Sequence, residues 1–473
     1  MRILLVGALS WNPERIRSLH ERGHELWGCW ARSMAWDQGP YPMLDDCVRT
    51  ITVEEAARTI ADEQIDCVYG LFQVYERPLW GPAAPGIEHD VWTLLRVLLV
   101  ERTKGTFDAP IVFHWGFDVH EIDPNVVLAL DGQIFCNQEQ LTYWRTPVAA
   151  GGAGLDCFET CEVTGCLDSD RPKGEFMNDD FSERLSDRTG EIHTVCVGRP
   201  FNVDYLALAR NQIHFHVYGN GVDDSARFIA RDIIAANATH HVRRIRDFVH
   251  LHPSLQPTGT SWTEVREQKA RWVREFSRYD AGWSYIGSPL TWAPLEDRSA
   301  IPNRLSTYLL AGLPVITDHR PGFHRYDEVA RLGVNIDLEG SDYELLRAKL
   351  DAEAAHPQLR TIAVAKRHGY SFDATIEPLL AILERARERY FAKSTLERRR
   401  ASIDWEIAPA GVTSVSAAAR VPRPHGTFVT ELRRRVGRAR TALVRPFARA
   451  RFRRIVRHLQ TGSASPEQGE NTP

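Results

Sequence analysis

The sequence predicts an α/β protein made of two doubly wound parallel-sheet domains facing across a cleft, with a basic helical tail behind them. Three observations predict it. Short β-branched apolar runs alternate with amphipathic stretches of about ten residues, the pattern of strand–helix–strand crossovers in a parallel sheet. The alternation stops near residue 147 and resumes near 191, dividing the chain into two similar halves. And 473 residues are too many for one ordinary core.

The first strand is "RILLVG" (2–7), continuous, branched and ended by Gly7. A helix follows in "NPERIRSLHERG", with Pro13 in its tolerant first turn and Gly23 as its stop. "HELWGCWA" is the second strand. A helix near 54–63 leads to the strand "IDCVYGLF" (65–72), and a helix near 90–102 leads to "APIVFHWG" (109–116). "GQIFCN" (132–137) and a helix near 138–145 complete the series. Residues 147–190, rich in Gly, Asp and Ser, read as a connector that closes a first domain of 1–190.

A second domain, 191–391, opens with the strand "IHTVCVG" (192–198), a helix at 202–211, the strand "IHFHVYG" (213–219) and a helix at 224–237. "DFVHLHP" (247–253), a helix at 263–277, "AGWSYI" (281–286), a helix at 302–311, "PVIT" (314–317) and "VNID" (334–337) continue it. Helices near 341–355, 358–369 and 373–391 end it. A linker (392–430) precedes a basic amphipathic helix (431–459), which has no acidic residue after Glu431, and a disordered tail (460–473). Basic residues around apolar ones at helical spacing fit a helix lying on an anionic membrane surface.

Composition is that of a soluble globular chain, 43% hydrophobic and 25% charged, with a net charge of −4 that argues against nucleic-acid binding. "MRILLVGA" reads as a strand and not as a signal segment, and no stretch approaches a membrane span. These features predict a cytoplasmic protein, peripheral on the inner face of the membrane. Eight cysteines without secretory marks read as reduced thiols. Cys157, Cys161 and Cys166 match no common zinc spacing and read as an ordinary surface hairpin. The pairs His214/His216 and His250/His252 alternate along strands and share a face. Placed inside a sheet, they read as packed residues, so no metal and no cofactor is expected.

Residues 301–318, "IPNRLSTYLLAGLPVITD", carry the functional signal. Pro302 suits a first helical turn, Leu305, Tyr308 and Leu309 share a face, and Gly312 stops the helix before a strand. The helix start, with Asn303, Arg304 and Thr307, then points out of the strand ends, where amide dipoles and a guanidinium favour an anion. Gly219, Asn220 and Gly221 form a second glycine-rich turn at a strand end.

"PNRLSTYLLAGLPVI" resembles the nucleotide-sugar motif of GT-B-fold glycosyltransferases of the group 1, family-4-like type. Pro302, Arg304, Leu305, Tyr308, Ala311, Gly312, Pro314 and Val315 match it in order. "VCVGRPFN" (195–202) resembles the first strand of the donor domain, and "IHFHVYGNG" its second. The resemblance spans roughly 1–391. It implies two Rossmann-like domains, an N-terminal acceptor domain and a C-terminal donor domain. It further implies a hexosyltransferase of polysaccharide biosynthesis that moves sugar from a nucleotide sugar to a glycan or lipid-linked acceptor. Gly198 and Arg199 would contact the diphosphate together with Arg304. Departures from the pattern are Ser299 and Thr307, where many retaining members carry glutamates, and Tyr205, where a Lys is common. Asp118 and His114, near the end of "PIVFHWG", are the candidates for taking the acceptor's proton. A GT-B-fold epimerase or hydrolase, or a non-catalytic nucleotide-sugar-binding or scaffold protein, remain the rival readings.

Overall fold

The computed structural model describes residues 1–7, 9, 13–30, 42–74, 91–119, 124–136, 138–150, 161–167, 171–198, 200, 203–219, 221–253, 255, 261–284, 304–319, 331–399 and 450–461. The first half forms a seven-stranded sheet of β1 (Arg2–Gly7), β2 (Glu25–Trp30), β3 (Arg49–Ile51), β4 (Cys67–Val74), β5 (Ile111–Val119), β6 (Gly132–Phe135) and β7 (Thr164–Cys166). Its spatial order is β3-β2-β1-β4-β5-β6-β7, and every pairing is parallel. The helices α1 (Pro13–Glu21), α2 (Val53–Asp62), α3 (Val91–Lys104), α4 (Pro124–Ala129) and α5 (Gln138–Arg145) connect these strands. Both faces of the sheet are covered, each with its own apolar cluster.

After α6 (Leu185–Thr189) the second sheet begins, with β8 (Ile192–Val197), β9 (Ile213–Tyr218), β10 (Val249–His252), β11 (Ala281–Trp283), β12 (Val315–His319) and β13 (Asn335–Glu339). Its order is β10-β9-β8-β11-β12-β13, again all parallel. The connecting helices are α7 (Tyr205–Arg210), α8 (Val222–Ala235), α9 (Val242–Arg246), α10 (Trp262–Phe276) and α11 (Arg304–Leu310). α12 (Tyr343–Ala355), α13 (Gln358–Lys366) and α14 (Phe372–Ala392) follow the last strand. In each sheet the order reverses beside the first strand, at β1/β4 and at β8/β11. Open parallel sheets bind ligands at such switch points, beyond the carboxyl ends of the strands.

The structure departs from the sequence reading in three places. Residues 164–166 add β7 as a parallel edge strand on β6, so the Cys161–Cys166 segment is not a hairpin. Helix α14, counted with the second domain from its position in the chain, packs on the first sheet instead. Phe372, Ile376, Leu379, Ile382, Leu383 and Ala386 join the cluster that holds Ile3, Leu5 and Ile16. The basic helix is described from 450 to 460, and its apolar side is already covered. Ile455 and Leu459 are buried in the core of the second lobe, with Phe452 and Val456 packed against it, whereas Arg451, Arg453, Arg454 and Arg457 are exposed. What this helix offers outward is guanidinium and not hydrocarbon. Among the described residues no helix is long and apolar enough to cross a membrane.

One close approach fixes the site described next. A Cβ on Gly282 of β11 would lie 2.4 Å from the Tyr308 ring. That ring is fully buried and held by two hydrogen bonds, so it cannot yield. Gly282→Ala is therefore expected to cost about 3 kcal/mol, the upper range for an overpacked core. A lowered denaturant midpoint with unchanged m-value would show it; an unchanged midpoint would mean that the ring can move.

Candidate functional site

The carboxyl end of β8 is Val197 followed by Gly198, whose φ of +84° suits glycine. The Gly198 amide donates to the Tyr218 carbonyl at 2.8 Å, tying the ends of β8 and β9 together. Gly219 follows directly. A Cβ there would lie 3.5 Å from the Gly198 carbonyl oxygen and 2.3 Å from Ser225 Oγ, so a larger residue is excluded. Gly221, with φ of +138°, then caps α8.

Across the switch point, α11 leans on β8 and β11 through Tyr308. Its hydroxyl accepts from the Val197 amide at 3.1 Å and donates to the Trp283 carbonyl at 2.7 Å. One helical turn earlier, Arg304 Nη1 donates to Cys196 Sγ at 3.2 Å, and Nη2 lies 3.8 Å from where a Gly198 Cβ would be. Thus Gly198, Gly219, Gly221 and Arg304 gather at the ends of adjacent strands, with Thr307 half-buried on α11. Arg199, Asn220 and Asn303 lie outside the described residues, as does Ser299.

The electrostatics are uneven. Helix α8 carries Asp223 and Asp224 in its first turn, both exposed. They suit the helix dipole but oppose a second anion there. α11 has no acidic residue in its first turn and begins with Arg304. Of the two helix starts, the α11 side is the one suited to a diphosphate. Burial raises the Cys196 thiol, while Arg304 beside it pulls the other way. The thiol is therefore a neutral, weak acceptor for the guanidinium.

Two residues of the site were not singled out by sequence reasoning. Tyr308 matched the motif but was read only as packing; it is the pin that sets α11 against both strands. Ser225 is buried in the first turn of α8, and its Oγ has no hydrogen-bond partner among the described residues. An unpaired buried hydroxyl beside a glycine-rich turn is a candidate ligand contact, and nothing in the local sequence marks it.

On the acceptor side, His114 in β5 is 2% exposed. Its Nδ1 lies 2.7 Å from Arg15 Nη1 and 2.9 Å from the Tyr69 hydroxyl. A guanidinium only donates, so Nδ1 is the acceptor and the ring is neutral. Burial, then the Arg15 charge, hold its pKa well below the usual value. The basic nitrogen of His114 is thus already engaged, which leaves Asp118 as the acceptor-side candidate. Asp118 falls near the end of β5, and its side chain lies outside the described residues. Cys161 Sγ donates to the Val163 carbonyl at 3.3 Å, and Cys166 Sγ to Gln138 Oε1 at 3.5 Å.

No protein-family model and no curated protein sequence matches the chain. Solved structures do. A glycosyltransferase from Rickettsia africae superposes with a TM-score of 0.51 at 12% identity, over 81% of this chain and 98% of that one. Anabaena HepE, solved in complex with UDP, gives a TM-score of 0.47 at 13% identity, over 80% and 98% respectively. The two parallel sheets and the Rickettsia africae neighbour define the architecture as the GT-B fold.

Proposed function

We propose that this chain of GT-B fold is a glycosyltransferase. It moves a hexose from a nucleoside-diphosphate sugar to a glycan or lipid-linked acceptor in polysaccharide biosynthesis, using protein cations and not a metal ion at the transfer centre. The observation that carries this reading is the Tyr308 bridge. It fixes the start of α11, and with it Arg304, over the switch point between β8 and β11.

Transfer needs the departing diphosphate to be stabilised as its charge grows, and a preorganised guanidinium is suited to that. An anionic oxygen is a far better acceptor than the Cys196 sulfur and would take over the Arg304 fork. Arg199, next to Gly198, is the second cation of this reading. Gly198 and Gly219 allow the backbone to come close, and Ser225 offers a hydroxyl from behind. Asp118 takes the proton of the acceptor hydroxyl.

A panel of nucleotides and nucleotide sugars, followed by thermal unfolding, tests the reading. Stabilisation by one nucleoside diphosphate and its sugar, then product formation only with acceptor present, is the expected result. Hydrolysis or epimerisation without acceptor would point to the other enzyme class, and no response to any nucleotide would sink the proposal.

The same reading places the protein in the cytoplasm on the inner membrane face, held by the C-terminal basic helix. Because the apolar side of 450–460 is used against the second lobe, attachment is electrostatic. Each basic residue near an anionic surface contributes about 1 kcal/mol. Replacing Arg453 and Arg454 with Ser should weaken cosedimentation with phosphatidylglycerol vesicles more than about tenfold. Raised salt should do the same. Equal binding to phosphatidylcholine vesicles would refute it.

A further inference from the structure

The second sheet carries five histidines on one face: His193 in β8, His214 and His216 in β9, and His250 and His252 in β10. His193 stands opposite His214 in register, and His216 opposite His250. Their rings stack at 4.5 Å for His193/His214 and 4.4 Å for His216/His250. They are also joined nitrogen to nitrogen in two files. His193 Nδ1 meets His216 Nε2 at 3.0 Å, and His216 Nδ1 meets His252 Nε2 at 2.9 Å. His214 Nδ1 meets His250 Nε2 at 2.9 Å.

Both files end at the same place, the turn between α6 and β8. There His214 Nε2 lies 3.0 Å from Glu191 Oε2, and His193 Nε2 lies 3.0 Å from Thr189 Oγ1. His193 and His214 are more than nine-tenths buried, and Glu191 is exposed. One donor atom from each of Glu191, His193 and His214 falls within 4.8 Å of the others.

We propose that Glu191, His193 and His214 bind a borderline divalent transition-metal ion, of which Zn²⁺ is the type, at the amino end of β8. Two imidazoles and a carboxylate are a zinc donor set, with bonds of roughly 2.0–2.2 Å. The His214–Glu191 spacing of 3.0 Å is already close to one edge of such a polyhedron. A rotation of the His193 ring closes the other two.

The files behind the ligands supply what metal-bound imidazoles require, an acceptor for the second ring N–H. With His193 and His214 ligating through Nε2, each Nδ1–H donates to the next histidine. His216 passes the pattern on to His252. Without an ion the order reverses, and each file donates outward, from His250 to His214 facing Glu191 and from His252 through His216 to His193 and Thr189. Either direction leaves the rings neutral, so loading the site needs a shift of tautomers and the turn of the His193 ring. The charges of Arg188, Arg278 and Arg347 also lie near these rings and work against a dication, which sets the affinity below that of a zinc finger.

The site is structural and not catalytic. β8 runs from Ile192 to Val197, which puts Glu191 roughly 20 Å from Gly198. The ion would clamp the segment joining the two lobes onto the second sheet.

The test uses the full chain, free of any polyhistidine tag and stripped with a chelator. One equivalent of Zn²⁺ should bind and raise the unfolding temperature by several degrees, while nucleotide affinity stays unchanged. Glu191→Gln, on an exposed side chain, should leave metal-free stability as it was and weaken Zn²⁺ at least about tenfold. Cu²⁺ in place of Zn²⁺ should show two imidazole nitrogens by electron paramagnetic resonance, and His193→Gln should reduce them to one. No stoichiometric Zn²⁺ binding overturns the proposal. So does binding that Glu191→Gln and His193→Gln leave intact, or a Cu²⁺ spectrum without imidazole nitrogen.

Discussion

Arg304→Ala is expected to weaken binding of a nucleoside diphosphate by about 10- to 100-fold, the value of a charge-assisted bond of 1.5–3 kcal/mol. The side chain is half-buried at the first residue of α11, where it donates to the Cys196 thiol. Its removal should change nucleotide affinity far more than the unfolding midpoint. Arg304→Lys keeps the charge but loses the fork, and should fall between. Calorimetric titration of the preferred nucleotide separates these outcomes. Unchanged affinity in Arg304→Ala would dissociate the switch point from nucleotide binding and remove the basis of the proposed function.

The largest stability effect is expected at Arg367. It is fully buried, just after α13, and its guanidinium donates to the carbonyls of Leu310 at 3.0 Å, Met177 at 3.2 Å and Asn178 at 2.9 Å. It also pairs with Asp179 and lies over the Phe181 ring at 4.8 Å. Arg367→Ala leaves these carbonyls without their donor and opens a cavity. The expected loss is about 3–5 kcal/mol, as for breaking other buried charged networks. Leu310 ends α11, so the variant should also lower nucleotide affinity, though less than Arg304→Ala does. Denaturant unfolding monitored by tryptophan fluorescence is the check, and a loss under 1 kcal/mol would show that water replaces the guanidinium.

Much of the architecture was legible because parallel strands buried on both faces must read as apolar runs. β1, β4 and β8 show this directly. What escaped was short or nonlocal. β3 is Arg-Thr-Ile and β7 is Thr-Gly-Cys, three residues each, too few for any periodicity. The destination of α14 is set by which lobe its apolar stripe meets, and spacing along a helix does not encode that. At the site, the 301–318 motif pointed to Arg304, and "VCVGRPFN" and "IHFHVYGNG" pointed to Gly198, Gly219 and Gly221. The Tyr308 bridge required knowing that β8 and β11 are neighbours. His114 shows the opposite failure: a histidine at a strand end reads the same whether it faces a cleft or a buried arginine. The histidine files likewise exist only because β8, β9 and β10 lie side by side.

The return of α14 to the first sheet has a consequence for biogenesis. A ribosome finishes β1 through β7 long before it reaches Phe372, yet Ile3, Leu5 and Ile16 wait for that helix to cover them. The N-terminal lobe is therefore discontinuous in synthesis. Nascent chains truncated before residue 372 should hold an unfinished hydrophobic face, prone to chaperone capture, and a split-gene design would have to deliver 372–392 with the N-terminal fragment.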